Sequence, residues 1–177
     1  MDLLEIYVYG SPLLRRKTRK VERLPDHFPE FLERMFATMH NDDGIGLSAN
    51  QVGVEMQFFI ADFSLHDKNF GREVFINPEI IAKEGADIFE EGCLSVPEIR
   101  EKVTRAFKIK VRYENLNREV IEKEFDDFFA RVIQHETDHL NGILFIDHIS
   151  PLKRSFLNSK LKAIAQKGKT QTNPVVI

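Results

Sequence analysis

The chain has 177 residues, 42% of them hydrophobic and 30% charged, with a net charge of −3. That is the profile of one globular domain with enough apolar side chains for a core, and it gives the chain as a whole no electrostatic reason to bind nucleic acid. Its one cysteine, Cys93, excludes an internal disulfide.

From the N terminus, a turn at Gly10-Ser11-Pro12 leads into "RRKTRK", read as a solvated basic edge. Phe28, Phe31, Leu32, Met35, Phe36 and Met39 fall at helical spacing and predict a core-facing helix over 29–40. The Gly- and Asn-rich stretch "NDDGIGLSANQVG" reads as a loop. "MQFFIAD" and "EVFINPEII" read as buried strands. "RAFKIKVRYEN" alternates, with Phe107, Ile109, Val111 and Tyr113 on the inner face. It predicts a half-buried antiparallel strand that turns at 115–118 into "EVIEKEF". Phe125, Phe128, Val132, His135 and His139 then step by three and four, which predicts a helix stopped at Asn141-Gly142. A last helix starts at Ser150-Pro151 and carries Phe156, Leu157, Leu161 and Ile164 inward, before a loose tail over 168–177. Strands followed by a helix, without alternating βαβ units, indicate an α+β fold. Antiparallel and mixed sheets are expected around a central helix, with helices toward both termini, in a single domain over 1–177.

"QHETDHL", residues 134–140, places His135 and His139 one helical turn apart with Glu136 beside the first. Both histidines continue an apolar stripe, so burial would leave two imidazoles and a carboxylate in need of partners, at about 1–3 kcal/mol for each unpaired group. A metal ion satisfies both rings at once. Two ligands do not make a catalytic site, and the usual third ones fail. Position 145 is phenylalanine where an extended protease motif has histidine, and no glutamate follows Glu136. Asp147 and His148 match no defensible spacing. Cys93, between Gly- and Pro-marked turns at the end of a strand-like stretch, offers a thiolate suited to a borderline-soft divalent ion. Cys93, His135 and His139 would leave one coordination position open for water, the pattern of a catalytic site.

Three separated motifs, "GIGLSANQ" (44–51), "EGCLS" (91–95) and "QHETDHLNG" (134–142), resemble in order and spacing the signature motifs of the peptide deformylase family. "YGSPLLRRK" near the N terminus and "GILFIDHISPLKR" toward the C terminus resemble it too, so the similarity spans nearly the whole chain. One departure is visible: Ser48 stands where the family usually has alanine. The resemblance implies a metal held by Cys93, His135 and His139, typically Fe²⁺ and replaceable by Ni²⁺, Co²⁺ or Zn²⁺. It implies Glu136 as general base and acid, and an oxyanion hole built from Gln51 and the backbone N–H of Leu94. The backbone at Ile45 and Gly46 would pair with the substrate peptide as an added strand, and Arg100 would contact it. The implied substrate is a nascent chain beginning with N-formylmethionine, and the products are formate and a free amine.

Phe128 and Val132, one and two turns before His135, are read as a wall of the methionine pocket, with plain core packing as the competing role. Asp138 is open between orienting a ligand and lying at the surface. From Ser150 onward there are six Lys or Arg and no Asp or Glu. A solvated helix face explains that, and weak docking on ribosomal RNA is the alternative. No apolar run approaches a membrane span, and "MDLLEIYVYG" has no basic n-region leading into an apolar stretch. Neither DNA nor a membrane is expected as a partner, and the expected setting is cytoplasmic. Two other readings of HExxH are a zinc endopeptidase, whose third ligand would not be Cys93, and a non-catalytic protein with a structural metal.

Overall fold

The computed structural model describes residues 2–64 and 66–177. Helix α1 spans Phe28–Asn41, and all six predicted stripe residues are buried on it. Strands β1 (Gly46–Ser48), β2 (Phe58–Asp62) and β3 (Arg72–Glu84) follow. Next come β4 (Asp87–Cys93), β5 (Val96–Arg105), β6 (Lys108–Glu114) and β7 (Val120–Asp126). Helix α2 covers Asp127–Leu140, α3 Pro151–Phe156 and α4 Asn158–Gly168.

The strands form a five-stranded sheet in the order β1-β2-β3-β6-β7 and a separate β4-β5 hairpin. Among the described residues every strand pair is antiparallel, and parallel pairing is confined to an isolated bridge between Arg19 and Met56. β2 is buried along its whole length because both its faces are covered. Phe58 and Ile60 pack with α1, whereas Phe59 and Ala61 pack with Ala130, Ile133 and Leu140 of α2. β3 carries a bulge between Ile76 and Glu79. Pro78, which has no N–H to give the ladder, lies in it, and the Asn77 side chain bonds both the N–H and the C=O of Val21.

α2 lies between the large sheet and the β4-β5 hairpin. Ile133 and Leu140 pack with the sheet, while Arg131, His135 and Asp138 bond to side chains of the hairpin. α2 stops as the sequence predicts, at Asn141 followed by Gly142 with φ +75°. The basic run is the expected edge: Arg15 pairs with Asp147, and Arg16 and Arg19 pair with Glu55.

The structure corrects several local expectations. The stretch read as a loop contains β1 and a 3-10 turn over Ala49–Val52. The strand over 105–115 is two: β5 ends at Arg105 and β6 starts at Lys108, so Phe107 sits in the corner and is 45% exposed. Phe125 ends the strand side of the junction, in β7, and does not belong to the helical stripe. The last helix is broken at Leu157, and Phe156, the last residue of α3, lies on the surface, 76% exposed. The tail is not loose. Gln171 is buried and its side chain accepts from the Val8 N–H, Tyr7 Oη donates to the Asn173 carbonyl, and the Val175 N–H donates to Gly53. Polar composition suggested a free end, but these are backbone and amide bonds that no hydropathy pattern reports.

Candidate active site

Three elements meet at one cleft of about 720 Å³. β1 is the edge strand of the large sheet and pairs on one side only, with β2. Ile45 and Gly46 at its start line the cleft, together with Leu94 and Arg100 from the hairpin and Phe128 and Val132 from α2. Phe128 and Val132 are half-buried, consistent with both packing and a pocket wall. Leu94 occupies the tight turn between β4 and β5.

At one end of the cleft, helix and hairpin bring the predicted ligands together. Cys93 Sγ lies 3.1 Å from His139 Nε2, which lies 3.2 Å from His135 Nε2. The three donor atoms fall within 4.8 Å of one another. The Glu91 carboxylate accepts from His135 Nδ1 at 3.0 Å, which fixes the tautomer that leaves Nε2 free to ligate. Burial and the neighbouring His135 hold His139 well below the usual histidine range, so it stays a neutral donor. Burial alone would lower His135 too, but the hydrogen bonds to Cys93 and Glu91 outweigh it and push it up to about 10. Without a cation among them, the sulfur and the two imidazole nitrogens would turn lone pairs on one another. That donor set fits a single divalent ion with a coordination position left for water.

Glu136, the next residue after His135, lies almost fully buried against the same cleft. Burial raises its pKa and is only partly offset by His135 and by the Ser48 hydroxyl, so the carboxyl suits a transient proton carrier. Gln51 is held by its own turn: Oε1 accepts from the Ser48 N–H at 2.8 Å, and Nε2 donates to Ser95 Oγ at 3.1 Å. The same Nε2 lies 3.5 Å from Cys93 Sγ, so one amide hydrogen is turned toward the predicted ligand cluster.

Sequence reasoning missed the charged frame behind the ligands. Glu91 Oε1 accepts from Arg105 Nε at 2.6 Å and Arg131 Nη1 at 2.8 Å, and Oε2 accepts from Arg105 Nη2 at 2.9 Å. Arg105 Nη1 donates to Asp138 at 2.6 Å, and Asp138 pairs with His148 at 2.7 Å. Asp138 is thus linked to His135 through Arg105 and Glu91, and His148 extends that chain; neither belongs to the Cys93-His135-His139 cluster. Asp147 pairs elsewhere, with Arg15 and Arg154. A signal for Glu91 was present, since residues i and i+2 of a strand share a face and Cys93 is two on. Nothing in the sequence marked Arg105, whose partners lie 14 and 33 residues away.

The family model for polypeptide deformylase matches residues 3–155. The chain belongs to that family. Its relatives named peptide deformylase include one from Thermotoga sp. (strain RQ2), 44% identical over 93% of this chain and 98% of the relative. Another, from Stenotrophomonas maltophilia, is 46% identical over 91% and 95%. Among solved structures, the Thermotoga maritima peptide deformylase superposes with a TM-score of 0.79 at 42% identity, covering 85% of this chain and all of that one. A plant peptide deformylase superposes at 0.88 with 31% identity, covering 97% and 94%. The α+β fold with antiparallel sheets is thus the deformylase fold. The chain is a metal-dependent amide hydrolase that uses one metal ion and removes the formyl group from the N terminus of nascent polypeptides, releasing formate. No helix among the described residues is long and apolar enough to cross a membrane.

Proposed function

We propose that Cys93, His135 and His139 hold the metal ion and that Glu136 carries the proton in formyl hydrolysis. The observation that carries this reading is the convergence of the three donor atoms within 4.8 Å beside a buried carboxyl on the same helix. A divalent ion bound there would lower the pKa of a bound water and polarise the formyl carbonyl. Glu136 would take the proton of the attacking water and return it to the departing amine, so that the same carboxyl would serve as base and then as acid. The Gln51 amide and the Leu94 N–H donate to the carbonyl oxygen as charge builds on it, each worth about 3 kcal/mol in the transition state. Ile45 and Gly46 receive the peptide as a strand along the free edge of β1, Arg100 contacts its backbone, and Phe128 and Val132 receive the methionine side chain. The formyl carbon bears only hydrogen, so a tight site rejects larger acyl groups by size.

Fe²⁺ is the ion this site takes in the cell, with Ni²⁺, Co²⁺ or Zn²⁺ as substitutes; a thiolate with two imidazoles suits all four. With iron bound, the Cys93 thiolate would be open to oxidation by dioxygen, which predicts an oxygen-sensitive enzyme. The reaction takes place in the cytoplasm, where nascent chains emerge, and residues 1–177 act as one catalytic domain. The assay is formate release from a formyl-Met peptide by anaerobically purified protein, with metal analysis, beside Cys93→Ser and Glu136→Gln. Full activity in either variant contradicts these roles. Actinonin, bound in the Synechococcus elongatus relative, should raise the melting temperature of the metal-loaded protein.

Weak docking on ribosomal RNA rests on the basic C-terminal helices. Lys153 is drawn to Glu101 and Arg154 to Asp147, so on α4 the charge without an ion-pair partner among the described residues is that of Lys160, Lys162 and Lys167, all exposed, with Lys169 just beyond. Reversing these three to Glu should weaken co-sedimentation with ribosomes at low salt; unchanged co-sedimentation would sink the idea.

A further inference from the structure

Ser48, the residue that departs from the family's usual alanine, is fully buried in β1. A buried hydroxyl needs a partner. Both acceptors it reaches belong to Glu136: the backbone carbonyl at 3.1 Å and, by a short bond, the carboxylate Oε2. The other oxygen, Oε1, lies against Gly46 at the cleft wall, where a Cβ built on Gly46 would come within 2.6 Å of it. The two carboxylate oxygens therefore have different surroundings. One is tied to the sheet edge and the other faces the edge-strand backbone where the substrate would enter. Ser48 is also the residue whose backbone N–H holds the Gln51 amide at 2.8 Å. An alanine at 48 would keep that link to Gln51 and lose the one to Glu136.

We propose that Ser48 is a positioning residue for the deformylase reaction. Its hydroxyl fixes the carboxylate of Glu136 through Oε2 and so leaves Oε1 as the oxygen that takes and returns the proton. The balance is consistent through the cycle. When Oε1 gains the proton, Oε2 becomes the carbonyl oxygen of the acid and still accepts from the Ser48 hydroxyl. When Oε1 gives the proton to the amine, the carboxylate is restored without a side-chain rotation. This inference rests on the assignment of Glu136 as the proton carrier.

The test uses the full-length chain. Ser48→Ala and Ser48→Cys are compared with wild type in the metal-loaded protein; cysteine is close in volume to serine but a weak donor. Metal content should be unchanged in both. Both should lose about threefold to tenfold in kcat at unchanged KM, the range of one ordinary net hydrogen bond. A second readout uses metal-free protein. Ser48→Ala and Glu136→Ala are combined in a double-mutant cycle on thermal unfolding, and Ser48→Ala should cost clearly less once the carboxylate is gone. Wild-type kcat in Ser48→Cys, a rise in KM at unchanged kcat, or additive unfolding effects would each overturn the proposal. If metal-loaded wild type releases no formate, the assignment of Glu136 fails, and the unfolding cycle still decides whether Ser48 and Glu136 are coupled.

Discussion

Replacing Glu91 by glutamine probes how much the metal site depends on the charge behind it. The carboxylate accepts four hydrogen bonds, from Arg105 twice and from Arg131 and His135 once each, at 2.6 to 3.0 Å. The side chains of Glu91 and Arg105 are only 5% and 4% exposed, so this is a buried ion pair. An amide can accept through one oxygen only. Its NH₂ group would face two of the present donors, and the guanidiniums of Arg105 and Arg131 would lose their common anion. Leaving buried charge uncompensated typically costs about 3–5 kcal/mol. Arg105 keeps Asp138, which places the cost at the lower end, near 3 kcal/mol. For a chain of this size that corresponds to a drop in melting temperature of about 6–12 °C. His135 would also lose the acceptor that fixes its tautomer, so metal affinity should fall about 10- to 100-fold. Thermal unfolding of the metal-free protein measures the first quantity, and competition with a chelator measures the second. Burial opposes ionisation of Glu91, but His135 and Arg105 prevail and hold its carboxyl well below the usual range. Its own contribution is therefore complete above the unfolded pKa and lost only as pH falls through the lower folded one, so that part of the deficit should be flat above about pH 5, while the part passed on through His135, whose folded pKa is raised, should be full below about pH 6.5 and shrink as pH rises beyond it. A melting temperature within about 2 °C of wild type together with unchanged metal affinity would refute the reasoning.

Two further expectations follow from the same frame. Gly46→Ala would drive a methyl group into the Glu136 carboxylate; it should lower kcat about 100-fold with metal content unchanged, read by formate release and metal analysis. Asp147 is held at about 2 mainly by Arg15 and the Leu144 N–H, against burial. Asp147→Asn should therefore cost about 1–2 kcal/mol near pH 6 in urea unfolding. That gap should close as pH falls from about 4 to 2, because the lowered folded pKa removes the contribution there.

The chemistry of the site was legible along the chain because a catalytic metal demands particular residue types. Two imidazoles one helical turn apart, a neighbouring carboxylate and a single thiol leave few alternatives, and the structure clusters the three donor atoms, with Cys93, His135 and Glu136 lining one cleft and His139 buried behind it. α1 and the β6-β7 hairpin were legible for a different reason. Their 3.6- and two-residue periods report which face is buried without reference to any other part of the chain. Those same periods failed where the contacts are not between apolar faces. Phe125 fits a helical period and lies in a strand, and Phe156 fits one and faces solvent. The tail has no period at all and is fastened by hydrogen bonds to residues 7, 8 and 53.

By itself the sequence determined the family and pointed to the ligands and proton carrier proposed above, since these depend on residue identity at short spacing. Only the tertiary structure decided what surrounds them. Glu91, Arg105 and Asp138 form one buried chain of charge, and Ser48 reaches Glu136 across 88 positions of sequence. Those contacts exist because α2 lies between a sheet edge and a hairpin. Each is a long-range polar pairing, fixed by where elements dock, and hydrophobic patterning along one element carries no record of it.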